Sequence, residues 1–134
     1  MKITFEDLRK FNQATANLFA RKPVYRESKL GHAIKRFTDI NLIKIFNEYN
    51  NELEMARIDH CLADPITKAV MLASGGSQRM YQYSKEGLKA VLKAEIDLIE
   101  KWDKKEFEVK PWICLEPPKD LTEEEMETMK RLVI

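Results

Sequence analysis

Residues 27–61 read ESKLGHAIKRFTDINLIKIFNEYNNELEMARIDHC, and how this stretch folds decides the architecture of the chain. Leu30, Ala33, Ile34, Phe37 and Ile40 recur at helical spacing, and Phe46, Tyr49, Leu53 and Ala56 carry the stripe onward. No proline interrupts until Pro65, and the single glycine, Gly31, lies near the start. The pattern predicts one long amphipathic helix over about 27–61, on the order of 50 Å from end to end at the α-helical rise. Between Ile40 and Phe46 the apolar arc is too wide for one face. Ile40, Leu42, Ile43, Ile45 and Phe46 cannot all point the same way, so two sides of the helix need cover there. This belt is the expected partner interface.

Upstream, Thr4-Phe5-Glu6-Asp7 announces a first helix. The threonine can cap free backbone N–H groups, and the acids suit the positive end of the helix dipole. Phe5, Leu8, Phe11, Thr15 and Leu18-Phe19 form its buried face. Pro23 disfavours helical geometry at Lys22 and ends it near Arg21. The two helices make an N-terminal helical hairpin over 1–62.

Residues 66–134 predict a small β element with helices, within a single domain of 134 residues. Ser74-Gly75-Gly76-Ser77 is a turn signal between two short runs, one apolar and one alternating, which reads as a β-hairpin; a helix over 69–72 competes. Ser84 then caps a third helix with Leu88, Val91, Leu92, Ile96, Ile99 and Trp102 along one side. Glu106 to Val109 reads as a strand, which allows a three-stranded antiparallel sheet. Thr122 and Glu125 form a capping box for a last short helix, followed by the apolar tail Leu132-Val133-Ile134. The fold class is α+β, mostly helical.

Charge is unevenly distributed. The chain carries 23 Lys/Arg against 22 Asp/Glu, yet residues 1–45 sum to +6 and the last twenty residues to −3. Such asymmetry permits contact with a polyanion or, head to tail, with another copy. Arg21, Lys22, Arg26, Lys29, Lys35 and Arg36 concentrate at the bend between the first two helices, with Tyr25 among them. A basic patch with an aromatic can hold phosphates and stack a base, so a nucleic-acid partner is the second reading.

Reaction chemistry has little to stand on. His60-Cys61 point about 100° apart on a helix, which is poor geometry for one metal ion, and there is no HExxH or CxxC. Cys61 with His32 or His60 is formally a nucleophile and base, but no nucleophile turn accompanies them. The two cysteines, Cys61 and Cys114, read as reduced core thiols. No apolar run is long enough to span a bilayer, and the N-terminus lacks the order of a signal peptide. A cytoplasmic, non-enzymatic protein without cofactors is the expectation.

The order of these elements resembles a family of small, functionally uncharacterised proteins of tailed bacteriophages of Gram-positive hosts and related prophages. Thr4 to Leu18 looks like their opening helix, and Lys22-Pro23-Val24 with Leu30, Ala33-Ile34 and Phe37 like their turn into a long helix. Asn51-Glu52-Leu53-Glu54 through Arg57 is similar to that helix's acidic second half. Tyr81-Gln82-Tyr83, the helix after it and the closing Leu121-Thr122-Glu123-Glu124-Glu125 complete the likeness. It implies a phage accessory or assembly protein, in the bacterial host cell or the virion, acting through a protein partner or as a homo-oligomer. No catalytic residue comes with it.

Overall fold

The structure, a computed structural model, describes residues 1–63 and 81–134. Its elements are strand β1 (Lys2–Thr4), helix α1 (Phe5–Arg21), a 3-10 turn (Pro23–Glu27), α2 (Lys29–Phe37), a π-helical turn (Thr38–Leu42), α3 (Ile43–His60), α4 (Lys85–Asp103), β2 (Glu106–Glu108) and α5 (Glu123–Met129). The protein is mostly helical α+β, as the sequence predicts. Two compact units divide it: 1–46 with 102–134, and 47–101. The C-terminal residues fall in the same unit as the first two helices. The hairpin expected around Ser74-Gly75-Gly76-Ser77 falls mostly outside the described residues.

In the first unit, α1 begins and ends where the sequence places it. Thr4 Oγ1 accepts from the Asp7 N–H, and Lys22 closes the last turn by donating its N–H to the Leu18 carbonyl. Phe5, Leu8, Phe11, Ala14, Thr15 and Leu18 are buried. Phe5 is fully enclosed, with Phe46 and Trp102 each 5.2 Å away between ring centroids. Phe11 meets Phe37 of α2 edge-on at 5.0 Å. Burying each such ring is worth roughly 2–3 kcal/mol of transfer free energy, so this aromatic cluster dominates the core.

The sheet is two-stranded among the described residues; β2 lies where the sequence reading places a strand, and β1 is the strand that reading missed. The strand at Glu106–Glu108 pairs antiparallel with Lys2–Thr4, Ile3 standing opposite Phe107. Three residues ahead of a helix cap give no periodicity to read. The apolar tail docks on its own unit: Leu132 and Val133 are buried, and their carbonyls accept from the Trp112 and Cys114 N–H groups at 2.8 and 2.7 Å. At the entry to α5, Thr122 and Glu125 form the expected capping box.

The predicted long helix is helical from Lys29 to His60, starting two residues later than expected because Ser28 is its cap. It is not one regular α-helix. The π turn at Thr38–Leu42 lies at the start of the broad apolar belt, and the Ile43 N–H reaches back five residues to Thr38. One extra residue in a turn rotates all that follows by about 100°, which moves the buried stripe sideways.

In the second unit, α3 and α4 are joined by Arg57 donating to Glu95 at 3.0 Å. The Ser84 hydroxyl accepts from the Gly87 N–H, capping α4 as predicted. The chain around Leu62 and Gln82 is tied by a backbone hydrogen bond of 2.8 Å.

Candidate functional site

The belt residues are sorted by the π turn. Leu42 and Ile45 are buried, Phe46 is half-buried against Phe5, and Ile40 and Ile43 remain about half exposed at 49 % and 48 %. Two sides of the helix therefore carry apolar groups, as the sequence required, and one of them is covered by the chain itself. Between the belt residues lies buried Asn41, which sequence reasoning passed over. Its side-chain amide donates to the carbonyls of Phe37 and Lys110, and its oxygen accepts from the Lys110 N–H at 2.8 Å. Asn41 thus bonds back to the helix at the start of the π turn and fastens the chain that leaves β2 to it. A buried Asn inside an apolar stripe was the available signal.

The basic bend is the second candidate, and its charges meet acids of the same unit. Arg21 pairs with Glu125 at 2.5 Å. Lys22 and the Tyr25 hydroxyl both donate to Asp120, Lys29 pairs with Glu116 at 2.6 Å, and Lys35 pairs with Asp39 one turn on at 3.0 Å. Arg26 lies over the Phe19 ring and Arg36 over Trp112, at 5.5 and 5.9 Å. The positive excess near the start of the chain is thus answered by the negative excess near its end. Charge bookkeeping of the sequence showed both halves of this contact, and the structure joins them within one chain.

These contacts shift the groups that make them. The hydrogen bonds from Lys22 and Tyr25 hold Asp120 down to about 2, from an ordinary 3.8. The Lys29 hydrogen bond lowers Glu116, while Glu116 raises Lys29 and Asp120 raises Lys22. Because the folded-state value of Asp120 lies below the unfolded one, its contribution is present above about pH 4 and is lost as the pH falls through about 2. The Asp120→Asn variant is expected to be less stable than the parent near pH 6, with the gap closing toward pH 2. Urea midpoints measured across that range check this, and a gap that stays constant would refute it.

Beside the bend, Lys29, His32, Ala33, Trp112, Ile113, Cys114, Leu115 and Glu116 line a shallow groove of about 340 Å³. It brings His32 and Cys114 to one surface feature. Cys114 is buried and its N–H is held by Val133, so the thiol sits as a core group. Cys61 is half-buried in the second unit, its thiol turned to the Ile58 carbonyl. Among the described residues, no three His, Cys, Asp or Glu side chains gather as metal ligands.

No family model, curated protein or solved structure matches this chain. Among the described residues no helix is long and apolar enough to cross a membrane.

Helix α4 carries a further exposed apolar surface. Of the residues expected along one side of the helix, Val91 and Trp102 are buried and Ile99 is half-buried. Leu88, Leu92 and Ile96 are instead 48 %, 51 % and 58 % exposed. They are spaced four apart and so form a continuous outward stripe. An apolar stripe read from sequence has no sign: periodicity says that residues share a face, not that the same chain covers it.

Proposed function

We propose that this protein is a non-enzymatic accessory or assembly protein of phage or prophage type, acting through protein–protein contact and self-association. The observation that supports this most directly is the outer side of the apolar belt. Ile40 and Ile43 lie about one turn apart and half exposed at the π turn, on a helix whose inner side is already filled by Leu42 and Ile45. Uncovering two β-branched aliphatics side by side costs transfer free energy that a partner surface recovers. The resemblance of the element order in the sequence to that of the phage proteins motivates the biological setting.

A nucleic-acid-associated role for residues 21–36 gains less support. Five of its seven candidate contacts, Arg21, Lys22, Tyr25, Lys29 and Lys35, are engaged with carboxylates. A polyanion would have to displace those acids before it could neutralise the bases.

Replacing Ile43 by Asp tests the leading reading. The substitution should leave the protein folded and soluble, since the side chain it removes is not part of the core. It should also reduce assembly seen by light scattering, or binding to a partner co-purified from the native host. An Ile43→Asp protein that assembles and binds as the parent does would exclude the outer belt as an interface.

A further inference from the structure

Helix α4 carries its own interface. We infer that the stripe Leu88-Leu92-Ile96 pairs with the same stripe of a second copy of this chain, the two helices running antiparallel. The inference rests on the self-association proposed above and assigns it a surface and an orientation.

Three aliphatic side chains at i, i+4 and i+8, each about half exposed, make a seam about two turns long on one side of α4. Single exposed aliphatics are ordinary on protein surfaces; a row of three along one helix line is a recognisable contact seam. The charges beside the row identify the occupant. One residue on from each stripe position stand Lys89, Lys93 and Asp97, with Glu100 following, all exposed. This flank is basic in its first half and acidic in its second. That polarity adds nothing to the interaction of α4 with its own dipole, which favours acids early and bases late.

A second copy laid parallel would turn this flank toward the opposite side of its partner's stripe, where Val91 is buried and Glu95 is already engaged by Arg57, so these charges would find no counterparts. Laid antiparallel, with Leu92 opposite the second copy's Ile96, the same flanks of the two helices face each other. Lys93 then stands opposite the second copy's Asp97, and Lys89 opposite its Glu100. The two-fold axis passes near Ala94, so every contact occurs twice. Four ion pairs accompany two Leu–Ile layers, and Leu88 lies at each end of the seam against the side chain of the second copy's Glu100. The arrangement follows antiparallel coiled-coil logic, in which apolar residues supply the seam and flanking charges select orientation.

The test is charge reversal read by size-exclusion chromatography with light scattering over a range of protein concentrations, with circular dichroism confirming that each variant is folded. The parent should populate a dimer that grows with concentration. Lys89→Glu with Lys93→Glu should raise its dissociation constant on the order of tenfold or more, as attraction on both flanks becomes repulsion. Asp97→Lys with Glu100→Lys should do the same. All four substitutions together restore complementarity and should restore the dimer; Leu92→Asp should abolish it. A parent that stays monomeric at every concentration overturns the inference, as does a dimer indifferent to both charge reversals. A dimer indifferent to these changes but lost on Ile43→Asp would move self-association to the outer belt, overturning the α4 seam while sustaining the functional reading. The α4 variants failing to dimerise while Ile43→Asp dimerises normally would sustain the seam and remove the belt from self-association.

Discussion

Gly31→Ala is expected to destabilise the protein by about 3 kcal/mol or more, against the usual direction of this substitution in a helix. In an exposed helical position alanine is better than glycine by up to about 1 kcal/mol, because it reduces the backbone freedom lost on folding. Here the space is missing. A Cβ at Gly31 would stand 2.2 Å from the Tyr25 carbonyl oxygen and 2.5 Å from that of Arg26. Both obstacles are backbone, so no side chain can swing aside; the 3-10 turn and the first turn of α2 would have to separate. The Gly31 N–H is also the group that the Ser28 hydroxyl caps, and the Ser28 hydroxyl itself donates to the Tyr25 carbonyl. Moving the turn therefore loosens the cap as well.

Urea unfolding of Gly31→Ala beside Ser28→Ala separates the two contributions. The loss of the cap alone costs about 1 kcal/mol. A Gly31→Ala loss no larger than that of Ser28→Ala, or any gain, would show that the close approach is not rigid. The outcome bears on the surface chemistry too, since the same turn carries Tyr25 and Arg26. If it moves, the contact of Tyr25 with Asp120 moves with it, and the acid dependence described above should weaken in the Gly31→Ala protein.

Local signals were legible in the sequence wherever one element specifies itself. The caps at Thr4, Ser84 and Thr122 are read from a hydroxyl followed by a free helix start, and all three hold in the structure. The stop at Pro23 is set by the geometry of the residue before a proline. What resisted reading was pairing at a distance. Strand β1 exists only because β2 lies beside it, a hundred residues later in the chain. Glycine near the start of α2 was visible, but the carbonyls it accommodates were not. The widened apolar arc at Ile40–Phe46 was correctly seen as needing cover on two sides. The device that sorts its residues, a turn with one extra residue, has no compositional mark except the polar Asn41 among them. For α4 the shared side was legible from the spacing, but spacing carries no information on which of its residues the chain itself covers.

Asn41→Ala is the second large effect expected, about 3 kcal/mol of stability, and it reports on how the belt is organised. The Asn41 side chain is buried and makes three hydrogen bonds, to the Phe37 carbonyl and to both backbone groups of Lys110. Truncation removes all three at once. The partners are backbone groups in the interior or at its edge, and each left without water or protein costs about 1–3 kcal/mol. Asn41→Asp keeps the size and one acceptor but turns an oxygen toward two carbonyl oxygens, so at neutral pH it should be at least as damaging as alanine. Asn41→Leu, which refills the volume, should recover little, because the missing quantity is hydrogen bonding and not packing. Amide exchange locates the damage. The Lys110 N–H donates to Asn41 itself, and the Val109 N–H to the Met1 carbonyl. Exchange at Lys110 should accelerate strongly in Asn41→Ala, with Val109 following only as far as global stability falls. Equal acceleration at both would mean that the π turn holds the strand no more than any core residue does. Selective acceleration would mean that Asn41 ties the turn which sends Leu42 and Ile45 inward to the chain that leaves the sheet, and so sets which side of the belt is left for a partner.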